Sequence, residues 1–405
     1  MISLLLAVGV CMSAFGETDP QSAQSFSGPG STTAQLDEDE AVKEPALRLP
    51  RFDQYLQPWF HAKEALSEAT GLRLGVAYTY LHQVASDVPD GSEDDAGSGI
   101  ARVSGTWTLL NPDSKNAGKL VFSGDHRHRV TGIAPADLGF AAGYLGIPGT
   151  LFSDVDTVLG DLNWQQAFND GRTALVIGRY DPNDFLDVLG YANPWTSFQN
   201  LSVLFNASIA LADWSTGIAG GHFLNDQWHI LASVNDVNGS ATDIKFFDDF
   251  GELYTTAEIG WTPSRHQRYL NKIHLMGWHA DQREREGVDQ SEGITFGANW
   301  TFDDTWMAFV KAGWSDGDAP LYNESVTVGA IYHVARRSDL AGVGMNWGNP
   351  ADSNLDDQVS AELFYRLQLA QNLAITPSLQ VAIDPALNPD EDEIWFGGIR
   401  ARLTL

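Results

Sequence analysis

From about residue 72 to its last residue, the chain alternates apolar and polar side chains, and the connections between the alternating runs are themselves alternately long and short. Side chains in a strand point to opposite faces with period two, so each run has one greasy face and one wet face. In the final run Trp395, Gly397, Ile399, Ala401, Leu403 and Leu405 share one face, and Arg400, Arg402 and Thr404 share the other. Val359, Ala361, Leu363, Tyr365, Leu367 and Leu369 alternate in the same way against Gln358, Ser360, Glu362, Arg366 and Gln368. Leu373, Ile375, Leu379, Val381 and Ile383 do so again after a short turn. One such strand would suit a soluble sheet with its dry face inward. Repeated runs long enough to cross a bilayer predict an all-β fold, a transmembrane antiparallel up-and-down β-barrel. The runs centre near residues 77, 105, 124, 162, 177, 219, 232, 258, 277, 297, 310, 329, 345, 363, 378 and 399. That is about sixteen strands, an even number as expected of a single-chain bacterial barrel.

Composition narrows the setting. A formal charge of −29, from 53 acidic and 24 basic residues, argues against nucleic acid as a partner. No apolar run reaches the roughly 18 residues of a spanning helix. Residues 1–16 read as a signal peptide, with an apolar core from Leu4 to Val10 and small residues around Ala14 and Gly16. Cys11 is the single cysteine, which removes disulfide-stapled secreted scaffolds from consideration. Residues 17–50, rich in Ser, Gln, Gly and Pro and carrying Asp37, Glu38, Asp39 and Glu40, read as a disordered acidic spacer. Residues 51–71 read as a periplasmic helical segment, since Trp59 to Thr70 has helical composition with no breaker, and residues 72–405 as the barrel.

If the chain enters from the periplasm, odd connections face outward. The stretches 83–99, 130–157 and 181–214 are then long outer loops, whereas 167–172, 224–227, 302–305 and 370–372 are short inner turns. Acids load the outer side, with Asp87, Asp90, Glu93, Asp94 and Asp95 in one loop and Asp390, Glu391, Asp392 and Glu393 in the last. They would hold the divalent cations of a lipopolysaccharide leaflet, or simply keep the loops soluble. Arg172, Arg265, Arg268, Lys272, Arg336 and Arg337 collect at inner turns. Trp107, Trp164, Trp261, Trp300 and Trp347 face outward near strand ends, as an interfacial girdle requires; a glycan platform is the competing reading.

Three stretches carry a family resemblance. Gly178 to Ala192 reads GRYDPNDFLDVLGYA, a charged turn leaving a strand, followed by Asn193, Pro194, Trp195 and the apolar Phe198 to Ala212. Ala62 to Gly75 leads through Gly71, Leu72 and Arg73 into the first strand. Phe364, Tyr365 and Arg366, then Asn372 through Pro377, Asp384, Pro385 and Ala386, and Gly398, Ile399 and Arg400 form a closing hairpin. These stretches resemble the carbohydrate-selective porins of the OprB type, although a tryptophan-glycine-glycine approach to the first strand is absent and Leu405 stands where an aromatic residue is common. The resemblance implies a passive diffusion channel that favours sugars.

A sixteen-stranded barrel leaves an aqueous channel, so selectivity requires something that narrows it. The longest outer loop, Asp181 to Trp214, carries Leu201, Val203, Leu204, Phe205 and Ile209 and is expected to fold inward, with Asp181, Asp184, Phe185 and Trp195 as its constriction residues. The alternative is a flap over a subunit contact, as in a possible homotrimer. Period-two phasing puts Arg102, Asp125, Arg127, Glu258, Glu362, Arg366, Arg400 and Arg402 on the wet face, with Arg179 phased less securely because Leu175 and Ile177 share its face. Guanidinium forks donate and carboxylates accept, so sugar hydroxyls can exchange water for wall contacts.

Signs of catalysis are few. His126 and His128 fall on the apolar phase around Arg127, with no carboxylate or cysteine at ligand spacing. No nucleophile elbow or paired glycosidase carboxylates stand out, and neither a metal nor a cofactor is expected. The competing readings are a general cation-preferring porin, a barrel hydrolase acting on outer-membrane lipid, and a soluble glycan-binding β-sandwich or propeller.

Overall fold

The computed structural model describes residues 26–47, 50–210, 213–244, 251–283, 286–334 and 338–405. The expected signal peptide and the pair Arg336 and Arg337 lie outside the described residues. Sixteen strands follow in chain order. They are β1 (Leu72–Ala85), β2 (Asp95–Leu110), β3 (Gly118–Arg129), β4 (Asp156–Phe168), β5 (Thr173–Tyr180), β6 (Ser215–Phe223), β7 (Trp228–Asp236) and β8 (Leu253–Trp261). The second half is β9 (Asn271–Ala280), β10 (Ser291–Phe302), β11 (Trp306–Asp316), β12 (Tyr322–His333), β13 (Leu340–Pro350), β14 (Gln358–Ala370), β15 (Leu373–Ile383) and β16 (Glu393–Thr404). Each strand pairs antiparallel with its chain neighbours, and β16 returns to β1 from Ala77 opposite Thr404 to Ala85 opposite Phe396, closing the barrel. Closure leaves no unpaired sheet edge, which a strand in hydrocarbon cannot tolerate.

The wall shows why the alternation matters. Outward-facing Val103, Ile177, Leu275, Ile294, Val343, Leu363 and Ile399 remain exposed, while residues next to them in sequence, among them Arg102, Met276, Thr295, Glu362 and Arg400, point into the barrel and are buried there. An apolar exterior around a polar interior is stable only against acyl chains. Trp107 and Trp300 stand on the exterior, and the Trp261 and Trp300 rings stack 6.3 Å apart, as an aromatic belt would place them. No helix among the described residues is long and apolar enough to cross a membrane. The connections alternate as expected: residues 130–155 and 181–214 are long, whereas Gln371 and Asn372 alone join β14 to β15.

Gly178 interrupts the phase of β5. Its φ of +125° lies where a side chain is strained, and a Cβ there would come within 2.6 Å of the Leu162 carbonyl oxygen. Ile177 is exposed before it, and Arg179 and Tyr180 are both buried after it, so strict alternation ends at this glycine.

One expectation fails. Residues 26–47, read as part of a disordered spacer, are ordered inside the barrel, where helix α1 (Thr32–Glu40) is capped by the Ser31 hydroxyl accepting from the Ala34 amide. Composition favours disorder when acids have no counter-charge. Here the barrel wall supplies it, through Arg73, Arg366 and Arg402. Helix α2 (Pro50–Thr70) then leads into β1.

A candidate solute constriction

Two of the long loops fold into the lumen and pack on each other. Residues 130–155 contain helix α3 (Pro135–Ala142), followed by a stretch in which the Pro148 carbonyl accepts from the side chains of Gln83 on β1 and Gln380 on β15. The loop from Asp181 to Trp214 contains a short α-helical turn, α4 (Leu201–Leu204), with Asn200 capping it through the Ser202 amide. The Thr150 amide and hydroxyl both donate to the Gln199 carbonyl, and the Leu201 amide donates to the Ile147 carbonyl, so the two loops form a unit. Apolar side chains explain why the second loop turns inward. Leu189, Tyr191, Phe198, Val203 and Leu204 pack with Met307, Phe309, Ile331 and Phe364 from the wall, and Phe185 and Leu186 join a separate cluster with Tyr180, Phe223 and Trp278.

Several wall charges anchor these loops rather than line a passage. Glu362 on β14 accepts from the Gln199 amide at 2.9 Å and the Asn200 amide at 2.8 Å. Arg400 on β16 donates to the Pro194 and Ser197 carbonyls at 3.0 and 2.7 Å. Glu258 accepts from the Asp187 amide at 2.9 Å and pairs with Lys272 at 2.7 Å. Arg179 is different, donating to the Leu159 carbonyl on β4 at 2.8 Å and to the Ser240 carbonyl of the β7–β8 connection. A buried charge is tolerated when its partners are fixed in place, and backbone groups of an inward loop are such partners.

The remaining charges converge on Trp195. The guanidinium of Arg102 lies 4.9 Å from the Trp195 ring centre and that of Arg402 lies 5.5 Å from it. Arg102 pairs with Asp125 at 3.0 Å, and Asp125 pairs in turn with Arg127 at 2.9 Å, whose guanidinium lies 5.0 Å from the Trp214 ring. Phe152, Leu81 and Ile100 close the apolar side of Trp195. Nearby, Arg366 faces Glu38 at 2.7 Å and Arg402 faces Asp39 at 2.9 Å. The Trp195 ring is 3% exposed, covered by these guanidiniums and this apolar cluster, so the residues gather an aromatic ring, donors and acceptors at one buried point.

Of the proposed constriction residues, Arg102, Asp125, Arg127, Arg366, Arg402 and Trp195 are thus brought together, while Glu258, Glu362 and Arg400 hold the inward loop and Arg179 ties β4 to the β7–β8 connection. Phe185 is a core residue of its loop. Asp181 accepts from the Asn183 amide at 2.9 Å, and burial pushes its carboxyl up to about 7; burial raises Asp184 as well. Sequence reasoning missed Glu38 and Asp39, whose partners stand hundreds of positions away in the chain, and also Asp161, which receives the hydroxyls of Thr32 and Ser123. His126 and His128 lie on the outer face, where His126 meets Asp156 at 3.0 Å and Tyr78 meets His128 at 3.2 Å.

At the end of the barrel where the short turns lie, a vestibule of about 380 Å³ opens between α1, α2 and the turn from β14 to β15. Asp39, Lys63, Glu64, Gln371 and Asn372 line it.

Residues 256–405 match the family described as "Carbohydrate-selective porin, OprB family". The chain is 23% identical over 314 residues to Porin AaxA of Chlamydia pneumoniae, covering 74% of this chain and 70% of that protein. Its fold is similar to that of Pseudomonas putida OprB in a structure solved at high pH, with a TM-score of 0.67 and 13% identity across 86% of this chain and 97% of that one. A Rhodopseudomonas blastica porin mutant is similar with a TM-score of 0.51 and 13% identity, across 82% of this chain and all of that one. The resemblance drawn from the three sequence stretches is borne out, and so is the sixteen-stranded barrel.

Proposed function

We propose that this chain, of the OprB porin type, is an outer-membrane channel through which mono- or small oligosaccharides diffuse passively, meeting a charged constriction around Trp195. The observation that carries the reading is the Trp195 ring set between Arg102 and Arg402 at the meeting of two inward loops. A pyranose presents an apolar face to a ring and hydroxyls at its rim, and the rim would meet Arg102, Asp125, Arg127, Arg366 and Arg402. Contacts of this kind are weak and multiple, which suits passage because a tightly held solute would block the pore. Affinity in the millimolar range is expected, on the order of −4 kcal/mol.

The apolar exterior supports a place in the Gram-negative outer membrane, with the acidic outer loops toward lipopolysaccharide and its divalent cations. Family and fold favour a channel over a hydrolase. A homotrimer is compatible with the porin fold, and cross-linking in native membranes decides it. The second reading, a general cation-preferring porin, is favoured by the net charge of −29.

Liposome swelling separates the two readings. A sugar channel admits glucose faster than an amino acid of matched size, and Trp195→Ala reduces that ratio. Equal rates for both solutes in the wild type, unchanged in the variant, would establish the general porin.

A further inference from the structure

Helix α1 and its flanks thread the space a solute would cross. Phe26 stacks on Phe223 of β6 with ring centres 4.9 Å apart, the Gly28 amide donates to the Asp184 carbonyl, and Thr32 donates to Asp161 on β4 at 2.7 Å. Leu36 packs beside Gly75 on β1, and Glu38 and Asp39 reach Arg366 on β14 and Arg402 on β16. One segment touching walls so far apart around the barrel must lie within the bore. The wall makes room for it: a Cβ at Gly75 would sit 2.6 Å from Leu36 Cδ2, and one at Gly221 would sit 2.7 Å from the Phe26 ring.

The charges of this segment differ in kind from the others. Among the described residues, the carboxylates paired with Arg73, Arg366 and Arg402 all belong to α1: Asp37 and Glu40 with Arg73, Glu38 with Arg366, and Asp39 with Arg402. Lys119 Nζ likewise donates to the Thr33 hydroxyl of α1 at 3.1 Å. Arg102 and Lys272, in contrast, have wall partners in Asp125 and Glu258. If α1 leaves, its carboxylates leave with it, and of the four wall cations that lose these partners Arg366 and Arg402 line one recess with Trp195. The helix spans nine residues, too few to be stable as an isolated helix, so its order depends on this seat.

We propose that α1 is an internal competitor occupying the solute's place, and that the solutes to which it yields are sugars bearing a carboxylate. The sugar's carboxylate would exchange with those of Glu38 and Asp39 on Arg366 and Arg402 while its ring meets Trp195. This inference rests on the sugar-porin reading and narrows its substrate class.

Full-length protein reconstituted in planar bilayers and liposomes tests it, with glucose and glucuronate as probes. Two variants displace the helix from opposite sides: Glu38→Arg with Asp39→Arg sets it against the wall cations, and Gly75→Val fills the recess that holds Leu36. In barrels that still shift on heating in SDS, both variants are expected to raise single-channel conductance several-fold over wild type and to admit glucuronate faster than glucose. Conductance unchanged in both overturns the competitor. Opened channels that admit the two probes equally overturn the ligand class. Opened channels that pass ions but exclude both sugars overturn the sugar-porin reading beneath it.

Discussion

Glu362 sits on the face of β14 where phasing puts a solvated charge, yet it receives two loop amides. A hydrogen bond to a charged partner contributes about 1.5–3 kcal/mol, and removing the acceptor leaves buried donors unpaired. Glu362→Ala is therefore expected to loosen the loop around residues 185–200 by on the order of 3 kcal/mol while the barrel stays closed. Protease nicking of that loop, in protein that still migrates as a folded barrel, measures this; a loop as resistant as wild type would refute the anchoring role. Gly178→Ala tests the wall itself. It places a side chain at φ +125° and a Cβ against the Leu162 carbonyl, so a cost of about 1–3 kcal/mol and a lowered heat-shift temperature are expected. Side-chain identity and period two made the inward direction of Arg102, Glu362 and Arg402 legible in the sequence. They could not distinguish a residue that lines the pore from one that holds a loop, because that depends on which backbone arrives opposite. Arg179 was ambiguous for a local reason, the left-handed glycine before it.

At the scale of elements, the inward loop could be read from its sequence and α1 could not. Asp181 to Trp214 carries its own apolar residues, and a loop with that much greasy surface must bury it. Helix α1 has acids instead, and its seat depends on arginines such as Arg366, separated from Glu38 by 328 positions. No local pattern encodes such a pairing. Glu38 on α1 and Asp181 on the loop respond to pH in opposite senses. Glu38 is buried, yet the charges of Arg366 and Lys43 outweigh that burial and hold its carboxyl down at about 2, below the ordinary 4.5. Its contribution to seating α1 is full above about pH 4.5 and is lost as pH falls toward 2. Conductance is thus expected to rise on acidification through that window, and Glu38→Gln should flatten the rise. A pH-independent conductance in the wild type would contradict the role of Glu38. Asp181 behaves conversely. Its packed form holds a proton that the loosened loop releases between about pH 4 and 7, so loop packing weakens as pH climbs through that range. Proteolysis of the loop at pH 5 and pH 8 measures the difference. Asp181→Asn with Asp184→Asn should remove it.

At the scale of the whole molecule, sixteen alternating strands dictate a cylinder with a dry outside, and this was the most legible feature of the chain. Every strand centre expected from the alternation falls within an observed strand, because each strand repeats one rule and closure follows from their number. What fills the cylinder follows no such rule, being assembled from loops and an N-terminal segment whose partners stand far away in the chain. The account as a whole claims that sugars traverse this filled bore past Trp195. Single-channel current through the full-length protein, recorded while a sugar is titrated in, tests that claim most directly. The account predicts a saturable fall in current with half-block in the millimolar range, weakened about tenfold in Trp195→Ala, a change of about 1.4 kcal/mol. Current that follows only the bulk conductivity of the sugar solution, identically in wild type and variant, would contradict it.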